Sequence, residues 1–165
     1  NKDFLFINSG YNLRPTDINA AIGISQFKKL DAFIKSRKLN KENIIRSFKN
    51  DKRWNDQVDF LKENKNVKAS WFGLVMLLNK RYFRKKEKIM QRMKRLGIEN
   101  RPIISGNFTK QPALKKYNLV NNKQFPKADI IDNLGFMIGL SYRKISSNQL
   151  NRLKNSFFNF FDNVE

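Results

Sequence analysis

The sequence contains no cysteine and no histidine. Those two absences remove thiolate nucleophiles, disulfides, imidazole bases and nearly all zinc or copper chemistry. Acids are scarce as well, 14 Asp and Glu against 34 Lys and Arg. Glu42, Glu63, Glu87 and Glu99 each stand among lysines, so no two carboxylates are set to drive their pKa values apart for acid–base work. No apolar run approaches the roughly 20 residues that cross a bilayer, and Asn1 to Phe4 begin nothing like a signal peptide. A cytoplasmic protein without a membrane partner is the expectation. Neither a GxGxxG fingerprint nor a Gly-rich phosphate loop ending in Lys-Ser/Thr is present, which argues against ATP or NAD binding by those motifs.

What is there suffices for one core. The chain has 165 residues, 40% apolar and 13% aromatic, beyond the range of disordered sequences. It opens on Asn1 and runs straight into Phe4-Leu5-Phe6-Ile7, a stretch that asks for burial at once. That reads as a start in the middle of a fold, with a trimmed N-terminus as the alternative. The formal net charge of +20 would ordinarily put nucleic acid or an anionic surface first among partners. However, the lysines are scattered (Lys28, Lys29, Lys35, Lys38, Lys41, Lys49, Lys52), and Lys, Asn, Ile and Phe, the residues of A/T-rich codons, are all abundant. Genome base composition therefore competes as the cause, and nucleic acid is not the expected partner.

Periodicity lays out an α/β chain. Thr16 is placed to cap a helix with apolar positions Ile18, Ala21, Ile22, Ile24, Phe27 and Leu30, and Ala20, Ala21 and Gly23 give it a small-residue face. A second helix is predicted through Phe33, Ile34, Ile44, Ile45 and Phe48, ending near Asn50-Asp51. Val58, Phe60 and Val67 mark a weak strand region, and Ser70 to Leu78 reads as a buried strand. Tyr82 to Leu96 predicts an amphipathic helix with Ile89, Met93 and Leu96 inward, stopped by Gly97, and Ile98 to Ile104 a further strand. A short helical piece is expected around Pro112 to Tyr117, a helical turn or two over Ala128 to Leu134, and a strand over Phe136 to Leu140. Ser146 and Gln149 form a capping box for a last helix whose stripe is Leu150, Leu153, Phe157, Phe158 and Phe161. Trp71, Phe72 and the C-terminal phenylalanines read as core.

Two stretches carry possible chemistry. In Gly10-Tyr11-Asn12-Leu13-Arg14-Pro15 an amide, a guanidinium fork and the start of the following helix converge where an anion can sit. Arg101-Pro102 followed by Ser105-Gly106-Asn107 puts a cation and a polar turn at a strand end, where α/β folds often hold ligands. Each also has a purely structural reading, as a loop satisfying local carbonyls in the first case and a β-turn in the second.

Taken together, GYNLRPTDINAAIGISQFKKLDAFIKSRK (10–38), SWFG (70–73), GIENRPIISGNFTKQPAL (97–114) and NLGFMIGL (133–140) resemble, in order and approximate spacing, the C-terminal part of the DegT/DnrJ/StrS family of pyridoxal-phosphate (PLP) sugar enzymes. The RPIISGNF stretch looks more like its 3-dehydratase branch than its ordinary aminotransferases. The resemblance implies the C-terminal part of an aspartate-aminotransferase-like, fold type I enzyme. Residues 1–54 would be the tail of the large cofactor domain with bridging helices. Residues 55–165 would be the small C-terminal α/β domain, with an antiparallel or mixed sheet.

By the same resemblance, Asn12 and Arg14 would reach the cofactor phosphate of the other subunit of a homodimer, which suits a neutral donor and a bidentate cation facing a dianion. Arg101, Ser105 and Asn107 become candidates for lining the sugar-nucleotide site. The cofactor would be pyridoxal 5'-phosphate, and the substrate a nucleotide-linked 4-keto-6-deoxy sugar bound for surface polysaccharide. The reaction would be amino transfer, with glutamate as donor, or C3 dehydration. No lysine here matches the family's cofactor-binding lysine, and none of these residues takes a catalytic role, so this chain alone is expected to be inactive. The alternative from a different class is a small basic domain that binds anions or nucleic acid without catalysis.

Overall fold

The computed structural model describes residues 14–104, 106–111 and 124–161. The chain divides into two compact units, residues 1–32 and 33–165. The described part of the first is helix α1, Asp17–Phe27. Thr16 caps it as its sequence position predicts, its Oγ1 accepting the amide of Asn19 at 3.4 Å. None of its residues is buried: Ile18, Ile22, Ile24 and Phe27 are 57 to 75% exposed.

The second unit starts within α2, Leu30–Lys49, and continues through β1 (Val58–Phe60), β2 (Gly73–Leu78), α3 (Lys86–Arg95), β3 (Asn100–Pro102), α4 (Pro126–Leu134), β4 (Gly135–Gly139) and α5 (Ser147–Phe161). The four strands form one antiparallel sheet in the order β1-β2-β4-β3. Its register pairs Leu74 with Ile138, Met76 with Phe136 and Val58 with Leu78. Because side chains alternate along a strand, these residues share one face. All six are buried, and with Ile44 and Phe48 of α2, Ile89 and Met93 of α3, and four phenylalanines of α5 they form the core.

α5 is the centre of that core. The capping box predicted at its start is present: the Ser146 amide donates to Gln149 Oε1 (2.9 Å) and the Gln149 amide to Ser146 Oγ (3.2 Å). Phe157 stacks on Phe48 at 4.1 Å between centroids and meets Phe158, Phe160 and Phe161 at 5.1 to 5.2 Å. At the C-terminal end of α2, Asp51 takes Arg53 Nε at 2.8 Å and Lys154 of α5 at 3.3 Å. The Arg53 hydrogen bond is the main cause of a carboxyl held well below the usual range.

Several expectations are corrected. The strand through Ser70 starts only at Gly73. Trp71 packs half-buried against the core with its indole donating to Glu63 Oε1 (2.9 Å), whereas Phe72 is 64% exposed and not core. Val67 lies in a turn rather than a strand, its amide bonding back to Asn64. The helix over Tyr82 to Leu96 is shorter because Arg84 adopts φ 67, a left-handed conformation that no helix tolerates. Tyr82 instead closes a 3-10 turn capped by Asn79, and Leu96 lies outward. The strand over Ile98 to Ile104 contracts to Asn100–Pro102, ended by a proline that cannot donate and by Ile104 at φ 39. The expected helical piece at 112–117 and the apolar run 4–7 lie outside the described residues. No helix among the described residues is long and apolar enough to cross a membrane.

Candidate functional site

Of the candidate residues, Asn12 and Ser105 lie outside the described residues. Arg14 is exposed and stands two residues ahead of the Thr16 cap of α1. The first-turn amides of a helix point out of its N-terminus with a partial positive charge, so Arg14 adds a full cation close to an end already favourable to anions.

Arg101 is in β3, opposite Met137 of β4. Its guanidinium is 3.3 Å from Glu99, but both side chains are more than 70% exposed, so the pair holds neither firmly. Arg101 lines an open cavity of about 710 Å³ whose wall is apolar at Ile98, Ile138 and Leu140. Arg143 and Lys144 also line it, giving three cations against the single carboxylate of Glu99. The sequence reading passed over Arg143 and Lys144; the available signal was a Tyr-Arg-Lys run two residues after Leu140, in the turn that follows a strand.

The loop carrying those two cations is fixed from α2 by a side chain the sequence reading also missed. Asn40, 1% exposed, donates through Nδ2 to the carbonyls of Ser141 (2.9 Å) and Arg143 (2.8 Å), while its Oδ1 accepts the amide of Ile145 (3.0 Å). One buried asparagine thus holds three backbone groups of this loop at once.

Asn107 is 4% exposed and its amide is engaged at both ends. Oδ1 accepts from Thr109 N (3.1 Å) and Thr109 Oγ1 (2.7 Å), and Nδ2 donates to Asp129 Oδ1 (2.9 Å). Lys110 bridges Asp129 (2.7 Å) and Asp132 (3.0 Å) of α4. These bonds raise the Lys110 pKa and lower that of Asp129, in both cases chiefly through the hydrogen bond between them. Gly106 sits at φ +57, and a Cβ there would collide with the Asp132 carboxylate. The Gly-Asn pair therefore pins the turn after β3 onto α4. The structure places Arg101 on the cavity and Asn107 under this turn, and Asn107 is not among the cavity residues.

Similarity to known proteins now bears on this geometry. Residues 1–157 match the DegT/DnrJ/EryC1/StrS aminotransferase family. The chain belongs to that family. Within the DegT family, it is 32% identical over 139 residues to the GDP-4-keto-6-deoxy-D-mannose 3-dehydratase of Escherichia coli, covering 84% of this chain and 34% of that protein. It is 25% identical over 160 residues to the lipopolysaccharide biosynthesis protein RfbH of Salmonella typhimurium, covering 96% and 35%. A solved structure of the E. coli dehydratase with bound hydrated PLP superposes with a TM-score of 0.76 at 30% identity, over 93% of this chain and 38% of that one. The Helicobacter pylori aminotransferase PseC shares the fold alone, with a TM-score of 0.77 at 20% identity. The fold is that of the C-terminal part of a fold type I DegT enzyme, with the small sheet antiparallel throughout. The chain spans about a third of the length of the curated relatives it matches.

Proposed function

We propose that this chain is the C-terminal part of a cytoplasmic PLP-dependent enzyme that acts on a nucleotide-linked 4-keto-6-deoxy sugar, by C3 dehydration or by amino transfer from glutamate, in surface polysaccharide synthesis. Residues 1–54 are the tail of the cofactor domain with its bridging helices, and 55–165 are the small domain. The observation that carries this reading is the likeness, over most of the chain, to a 3-dehydratase solved with PLP bound.

The chain's own residues suit the parts assigned to them. Arg14 supplies a bidentate cation near a helix N-terminus, a donor set that fits the phosphate of the cofactor, with Asn12 as its neutral companion. The cofactor, when bound, supplies the electron sink for bond breaking next to the sugar carbonyl. No residue of this chain supplies a proton or a nucleophile in the proposal; its work is to hold and orient. Arg101, helped by Arg143 and Lys144, attracts the diphosphate of the sugar nucleotide, and the apolar wall excludes water around it. Ser105 belongs to the same site, and Asn107 acts on it by holding the turn in place. The exposed Ile18, Ile22, Ile24 and Phe27, spread around α1, support a homodimer, since so much exposed apolar surface on one helix suits a site of association.

The test uses the full-length protein that contains this chain, purified and assayed for bound PLP and for turnover of GDP-4-keto-6-deoxymannose with glutamate. The reading predicts retained PLP and a sugar product that has lost the C3 hydroxyl or gained an amino group. Arg14→Ala should weaken PLP binding about 10- to 100-fold, the range for losing a charge-assisted hydrogen bond. A protein that keeps no PLP and leaves every such keto sugar unchanged would overturn it.

A further inference from the structure

The positive charge is not even. Residues 80–95 hold nine cations (Lys80, Arg81, Arg84, Lys85, Lys86, Lys88, Arg92, Lys94, Arg95) and one acid, Glu87, whereas the remaining 149 residues share 25 cations. A source-wide bias toward lysine codons does not produce that concentration, and four of the nine are arginines. Lys86 is the inward member, buried with its ammonium on the Asp132 carbonyl. On α3 itself, Lys88, Arg92 and Arg95 follow at i, i+4 and i+7 and so share a face, and the exposed Lys94 lies around the helix on the side of Glu87. None of these four takes part in an ion pair among the described residues.

Apolar side chains bracket this face. Phe83, 50% exposed, precedes α3, and Leu96, 42% exposed, closes it. Arg84 lies over the Phe83 ring at 5.6 Å. The apolar side of α3, Ile89 and Met93, is spent on the core, so what faces out is a convex row of cations with an exposed hydrophobe at each end.

We propose that α3 and the turn before it form a docking surface for an anionic phospholipid bilayer, with the cations among the headgroups and Phe83 and Leu96 entering the boundary layer. A bilayer accepts a convex surface and takes exposed apolar side chains into its interface. Single-stranded nucleic acid is met instead by a basic groove with stacking platforms, and a convex helix with one phenylalanine offers no groove. This places a peripheral contact where the even spread of lysine read from the sequence gave no reason to expect a membrane. It is independent of the proposed reaction.

The experiment is co-sedimentation of the full-length protein with vesicles of phosphatidylglycerol and phosphatidylcholine, and with phosphatidylcholine alone, at low and high salt. Binding to the anionic vesicles only, weakened by salt, is expected. The triple change Lys88→Glu, Arg92→Glu and Arg95→Glu should lower partitioning at least about 100-fold, while Lys35→Glu, Lys65→Glu and Lys68→Glu, equal in net charge, should change it far less. Phe83→Ser should weaken vesicle binding several-fold and leave binding to random duplex DNA unchanged. Far-ultraviolet circular dichroism and melting curves establish that each variant is folded. No binding to anionic vesicles, equal losses in the two triple variants, or DNA binding that competes vesicles away would each overturn the proposal.

Discussion

Helices α1 and α5 are both rich in apolar residues, yet they end in opposite circumstances. α5 buries Phe157, Phe158, Phe160 and Phe161 to 5% exposure or less, whereas α1 buries nothing and leaves Ile18 and Phe27 more than 70% exposed. Both are capped as their sequences predict, so local signals do not separate them. The difference lies in how the apolar side chains are arranged and what they meet. α5 has a sheet face and two other helices of its own unit to close on; the apolar side chains of α1 are spread around the helix and stay exposed. Apolar content alone thus does not decide burial; the arrangement of the apolar positions on one face and the elements that face them do.

The comparison breaks most visibly in α5. Phe157→Ala removes a ring that touches Phe48 and three neighbouring phenylalanines, so unfolding stability should fall by about 3 to 5 kcal/mol, measured by urea denaturation. Asn40→Ala should follow at about 2 to 4 kcal/mol, because two carbonyls and one amide of the 141–145 loop lose the side chain that bonds them. Ile22→Asn in α1 should move stability of the unit containing residues 33–161 by less than about 0.5 kcal/mol. Under the proposed homodimer its effect falls on the molecular mass from light scattering, which should shift toward the monomer. A large stability loss in Ile22→Asn with unchanged mass would erase the distinction between the two helices.

How much of this was legible follows the same division. The caps of α1 and α5, the six-residue run Gly73–Leu78 and the phenylalanine stripe could be read because each signal is local, a hydrogen bond three residues away or a fixed period. The strand following Gly97 and the helix start before Ile89 were overextended, because apolar periodicity cannot see a backbone angle such as φ 67 at Arg84. Phe72 reads as core from its hydrophobicity, but the strand begins only after it and its side chain is exposed. Arg101, singled out by its strand-end position, lines the cavity. Asn40 was not singled out, since its three partners lie more than 100 residues away in sequence. Nor was the engagement of Asn107, which depends on α4 arriving 22 residues later.

A last effect sharpens the contrast through pH rather than packing. Asp51 ties the end of α2 to α5 through Arg53 and Lys154, and the hydrogen bond from Arg53 holds its carboxyl below the ordinary value. For an acid whose folded pKa is depressed, the stabilisation is complete above the unfolded pKa of about 4 and is lost as pH falls through the folded value. Asp51→Asn should therefore be less stable than the parent at pH 7, and the gap should close as pH falls below about 4 toward the depressed folded value. Melting curves at pH 7, 4 and 2.5 on parent and variant check this directly. A gap that persists undiminished at the lowest pH would mean that Asp51 acts through shape rather than charge, and that α2 and α5 are joined by the phenylalanine core alone.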